Sequence, residues 1–127
     1  MILVGACGRD ASPMASAKHA CHIAAGPTHN ATATYGQTLS HYTKAAPFAA
    51  KAAARERRWE KLSESYQTLI AAWTDVVDLT GPDATDQTKP DPAIVSRLRA
   101  TRHRWLDPAQ HAENILRSEC AIAAVAS

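Results

Sequence analysis

The chain has little of what most functional classes require. Its aromatic complement is one Phe, three Trp and three Tyr in 127 residues. Much of its 46% hydrophobic content is alanine, which buries little area per residue. At about 25 cal/mol per Å² of apolar surface removed from water, that composition supports one thin core and not two. There is no glycine-rich phosphate loop, no Gly-x-Ser-x-Gly elbow and no His-Glu-x-x-His pair. The usual sequence routes to catalysis are therefore missing, and the chain reads as a non-enzyme with no cofactor. No run of 18 apolar residues occurs, and the apolar stretch from Cys120 to Ala126 is too short to span a bilayer, so no transmembrane segment is expected. Three cysteines, Cys7, Cys21 and Cys120, are an odd count at no regular spacing. They predict no disulfide framework and a reducing compartment.

Acid is absent from one whole stretch. From Ala11 to Arg55 there is no Asp or Glu, against four Lys or Arg, four His and eight Ser or Thr. This acid-poor, hydroxyl-rich composition resembles that of organellar transit peptides, which points to a mitochondrial location, with the cytoplasm as the alternative. Residues 1–46 are accordingly expected to form an extended, low-complexity arm, ordered by a partner or not at all. Leu3-Val4-Gly5-Ala6-Cys7 has the outline of a lipoprotein cleavage box, but the basic region and apolar stretch that such a box follows are missing, and chance is the better reading. Asn30-Ala31-Thr32 matches a glycosylation acceptor, which carries meaning only in a secreted chain.

What is present is helical periodicity. Trp59, Leu62, Tyr66, Leu69, Trp73 and Val76 recur at intervals of 3, 4, 3, 4, 3, the seam of an amphipathic helix. With Pro47 at its first position and Gly81-Pro82 beyond its end, one helix is predicted over 47–79, spanning roughly 50 Å at 1.5 Å per residue. Residues 80–91 are a polar loop dense in helix breakers. Asp91-Pro92 and Asp107-Pro108 then each supply a capping acid followed by proline, predicting helices at about 92–105 and 108–124. The expected fold is mainly α: one long helix packed by a C-terminal pair of shorter helices, with an extended irregular N-terminal arm. Residues 47–127 form the module.

Four kinds of chemistry can be weighed on this frame. His19, Cys21, His22 and His29 cluster within eleven residues, but zinc sites pair their ligands on two arms and this cluster has one, so no metal site is assigned. Arg97, Arg99, Arg102, His103 and Arg104 are dense, yet at 100° per residue they split to both sides of the apolar face, whereas a phosphate-tracking helix gathers its cations. Arg102 falls within the apolar face of the second helix and Glu119 within that of the third, which predicts a structural ion pair between them. The long helix carries Lys51, Arg55, Arg57 and Arg58 toward its own positive dipole end, an arrangement intrinsic helix stability does not favour. A hairpin of the two shorter helices covers only ~27 Å of it. Phe48, Lys51, Arg55, Arg58 and Trp59 are therefore the predicted partner-binding residues.

These readings converge on a non-catalytic helical accessory subunit or adaptor of a larger assembly, with other protein subunits as partners and no sign of homo-oligomerisation. A small basic nucleic-acid-binding protein is the alternative, as is an inhibitor of a single host protein from a phage or bacterium.

Overall fold

The computed structural model describes residues 12–25 and 33–125. The Leu3–Cys7 box, His29 and the Asn30 acceptor lie outside these. Among the described residues there are five α-helices, one 3-10 turn and no strand. The helices are α1 (Pro13–Ala25), α2 (Tyr35–Arg55), α3 (Glu60–Thr80), α4 (Pro92–Ala100) and α5 (Arg102–Val125), with the 3-10 turn at Arg57–Trp59 between α2 and α3. The mainly α architecture read from periodicity is the observed one.

Helix α1 starts where Ser12 accepts the amide of Ala15 on its hydroxyl, with Pro13 at the first helical position, where its missing N–H costs nothing. Helix α2 starts with a capping box: Thr34 accepts from the Gln37 amide at 3.0 Å, and Gln37 returns the contact to the Thr34 amide at 2.9 Å. The next two orphan donors go to the loop that follows α3. Tyr35 donates to the Ala84 carbonyl at 2.7 Å and Gly36 to the Pro82 carbonyl at 2.8 Å. The start of α2 is thus docked on the far end of α3, and its first-turn amides are all satisfied. A side chain at Gly36 has no room, because an added Cβ would lie 2.8 Å from the Pro82 carbonyl oxygen. Gly36→Ala is expected to lower stability by about 1–3 kcal/mol in urea unfolding, the usual cost of overpacking against backbone that cannot step aside.

The stretch 47–79 is two helices, not one. The chain leaves α2 at Glu56, in extended backbone at φ −138° and ψ 121°, and re-enters helix after the Arg57–Trp59 turn. No glycine or proline marks the break. Its cause is burial: a straight 33-residue helix would leave one end without a partner, whereas folding at Glu56 lays both halves against each other. Pro47 lies inside α2 on an exposed position. An interior proline costs about 3 kcal/mol, and here burial of the whole α2 face, Tyr42, Ala45, Ala49 and Ala52, offsets it. The break also reverses the dipole argument. Lys51 and Arg55 sit near the C-terminal end of α2, where positive charge is favoured.

Ring contacts give the helix directions. Tyr35 lies 5.3 Å from Trp73 and Tyr42 lies 6.2 Å from Tyr66, so α2 and α3 are antiparallel. His19 meets Phe48 edge-on at 4.3 Å, and His41 Nδ1 donates to the Ile23 carbonyl at 2.9 Å, so α1 and α2 are antiparallel too. Helix α5 returns along α3, and α1 packs on α5. The four long helices form an up-down-up-down bundle, with α4 as a short brace at one end. The seam of α3 is its core line: Trp59, Leu62, Tyr66 and Leu69 are fully buried. Opposite it, Ala17, Ala20 and Ala24 of α1 face Ala45, Ala49 and Ala52 of α2 in the same core cluster. Small side chains on both faces let the helix axes approach closely, so alanine makes a core by proximity where it cannot by bulk.

The bundle is closed covalently. Cys21 of α1 and Cys120 of α5 form a disulfide with Cα atoms 5.7 Å apart, across 99 residues of sequence. The expectation of no disulfide fails because an odd count conceals one pair, and helix packing brings together two cysteines that sequence spacing keeps far apart. The expected extended arm is also replaced over much of its length: α1 and the first turns of α2 fall within residues 1–46. Alanine-rich segments without aliphatic periodicity read as low complexity, yet they supply half of the bundle.

Candidate functional site

A cavity of about 490 Å³ lies between α3, α5 and the chain that joins them. Gly81, at φ 94°, ends α3 in a backbone conformation that other residues avoid, and turns the chain into the 82–91 loop that forms one rim. Asp91 then caps α4 by accepting the Ala93 amide at 2.8 Å. The corner between α4 and α5 is held by Thr101, whose hydroxyl and amide both donate to the Arg97 carbonyl. It is held also by Trp105, whose indole N–H donates to the Leu98 carbonyl at 3.1 Å. That indole bond satisfies a carbonyl that α4 cannot satisfy for itself and sets the ring at the cavity wall.

The lining is layered by element. Helix α3 contributes Ala72, Trp73 and Val76; α4 contributes Ile94 and Leu98; α5 contributes Trp105, Leu106 and Ala109. Polar groups are few: Tyr35, Asp86 and Gln110, with threonines at the rim and Glu113 at the inner end. No Lys, Arg or His is among the lining residues. The Trp73 indole nitrogen is buried without a hydrogen-bond partner. Burial raises the Tyr35 hydroxyl pKa, and the Asp86 carboxylate nearby raises it further.

Behind this cavity, a smaller one of about 310 Å³ lies against the disulfide, lined by Tyr42, Leu116, Arg117 and both bridged cysteines. Glu113 lines both spaces. Burial raises its carboxyl pKa, and the positive charge of Arg117 partly opposes the rise. Tyr42 and Tyr66 lie deeper. Burial pushes both phenols up, helped at Tyr42 by Glu113 and at Tyr66 by Tyr42. The Tyr66 hydroxyl lies 4.0 Å from Cys120 Sγ, and since a bridged sulfur carries no hydrogen, the hydroxyl is the donor.

These tyrosines set an alkaline limit on the fold. Each phenol ionises near its ordinary 10.0 when unfolded and above that when folded. The folded state therefore holds protons that the unfolded state has lost. Stability is intact below pH 10 and falls above it, by up to about 1.4 kcal/mol per pH unit for each tyrosine. Urea midpoints measured from pH 8 to 11.5 are expected to drop steeply above pH 10, and Tyr42→Phe is expected to flatten the drop.

Set against protein-family models, curated proteins and solved structures, the chain matches none. What it does has to be read from the site alone.

The structure distributes the sequence-predicted residues differently from expectation. Lys51, Arg55 and Arg58 are exposed near the α2–α3 corner, as a docking surface requires. Trp59 is fully buried, with the Arg58 guanidinium 4.3 Å above its ring, and Phe48 is half-buried against His19. The apolar part of the predicted surface is core, because α1 covers the end that a two-helix hairpin would have left bare. The Arg102–Glu119 pair does not form. Helix α5 begins at Arg102 and runs through Pro108, so both residues lie on one helix, seventeen positions or about 26 Å apart. Arg102 is exposed and Glu119 half-buried. Of the His and Cys cluster, Cys21 is bridged, His19 packs on Phe48 and His22 is exposed. Among the described residues no group of three potential metal ligands assembles.

The cavity itself was in the sequence only as fragments. Trp73 reads as seam, and Ile94, Leu98 and Trp105 as the apolar face of a second helix. Nothing in their spacing says that these faces converge.

Proposed function

We propose that this chain is a non-catalytic helical binding module, an accessory or adaptor protein that acts by holding a ligand in the α3–α5 cavity. The observation that carries the reading is the cavity's make-up: an apolar, aromatic-walled space of about 490 Å³ with a few polar groups, built on rigid helices. Small-molecule sites have this volume and this balance. Binding is expected to be saturable at one site. The neutral dye Nile red, titrated into the protein, should give a one-to-one fluorescence rise. Leu98→Glu, which puts a charge into the apolar wall, should abolish it. A linear, unsaturable signal unchanged by Leu98→Glu would count against the site.

The exposed cations Lys51, Arg55, Arg57 and Arg58 favour a second role, docking on an acidic surface of another subunit. Charge-based docking weakens with salt. The same salt dependence on RNA or DNA would favour the nucleic-acid alternative. The Cys21–Cys120 bridge supports an oxidising compartment over the reducing one, such as the cell exterior, an envelope space or the intermembrane space of an organelle.

A further inference from the structure

Building on the cavity as a ligand site, we propose that its ligand is a compact organic cation with an apolar body, a quaternary ammonium or a tertiary amine in its protonated form. The argument starts from charge. Two carboxylates, Asp86 in the rim loop and Glu113 at the inner end, line the space, and no cationic side chain lines it with them. An anion entering it would meet two like charges with no counter-charge. A neutral ligand would gain no charge attraction from either. Arg117 offsets part of the Glu113 charge from the disulfide side, so Asp86, exposed and without such a neighbour in the lining, is the main anchor.

Ring chemistry points the same way. Tyr35 and Trp73 meet at 5.3 Å and 52°, so their rings form an open angle and not a closed stack. Trp105 is fixed on the same cavity by its bond to Leu98. Three aromatic residues around a space that also carries carboxylates make an environment suited to a cation that sheds water easily. A primary ammonium needs several hydrogen-bond acceptors to leave water, and the mainly apolar wall offers few. A quaternary ammonium or bulky amine needs only π faces, apolar contact and a carboxylate at longer range.

The experiment uses the full-length oxidised protein and two probes of nearly equal shape, benzyltrimethylammonium and its neutral carbon isostere neopentylbenzene. The three indole N–H resonances are followed by NMR at fixed ionic strength. The cation is expected to bind about tenfold more tightly than the isostere, to shift Trp73 and Trp105 and to leave Trp59 unmoved. Asp86→Asn should weaken the cation by roughly threefold or more, and Glu113→Gln by less, with neither changing the isostere. Equal affinity for the two probes would overturn the cation assignment and leave the cavity reading standing. Binding of neither probe would overturn both. Unchanged cation affinity in the Asp86→Asn, Glu113→Gln double variant would overturn the assignment as well.

Discussion

Replacing Cys21 and Cys120 together by alanine is expected to cost about 2–5 kcal/mol of stability and to lower the melting temperature by roughly 10 °C or more. The bridge joins the first and last described helices across 99 residues, and in the chain-entropy account a loop of that length is near the top of the range. It also closes α1 on α5, a packed pair from the two ends of the described chain that no turn connects. Calorimetry on the oxidised protein, the reduced protein and the double alanine variant separates the contributions. Reductant should lower the wild-type transition toward that of the variant and leave the variant unmoved. Oxidised and reduced proteins melting within a degree or two of each other would mean that alanine packing alone closes the bundle.

Trp59→Ala is expected to destabilise by about 3–5 kcal/mol, in the upper range for single substitutions. The indole is fully buried at the point where the chain turns from α2 into α3, and no neighbour can refill a space of that size. Trp59→Phe should be far milder. It keeps most of the apolar volume and removes an indole N–H that is buried without a partner, an arrangement that itself costs about 1–3 kcal/mol. Urea unfolding of the three proteins, with slopes compared, tests the ranking. The measurement also separates the two roles that Trp59 can have. A docking residue on the surface would leave stability nearly unchanged on truncation, whereas a core residue would not.

The helical class, the α3 seam and the loop after it were legible in the sequence because each has a strong local signal. The seam pairs large side chains at heptad spacing, and the Asp91-Pro92 cap is made by adjacent residues. Helix α1 and the first half of α2, up to Pro47, were read as an extended arm because their buried faces are mostly alanine, with Tyr42 the one large exception, and alanine marks no face. The Thr34–Gln37 box is a proper start signal, but it opens a segment whose polarity argued for disorder. At Asp107-Pro108 the local signal was outweighed: Trp105 and Leu106 reach the cavity only if α5 begins before the proline, and that burial offsets its cost. The bridge, the cavity and the fate of Trp59 depend on which helices become neighbours, and no single stretch of the chain carries that.

The bridge has a mechanical meaning as well. Cys21 and Cys120 turn residues 21–120 into a closed covalent loop that holds α2, α3, α4 and most of the core. When the chain is pulled from outside this loop, only residues beyond the two cysteines can pay out, at no more than about 3.6 Å each. Force then passes across the sulfur atoms, and the Tyr42–Tyr66 core and the α3–α5 cavity, both inside the loop, are bypassed. Tension applied outside the loop therefore leaves the residues that line the cavity unstretched for as long as the bridge is intact.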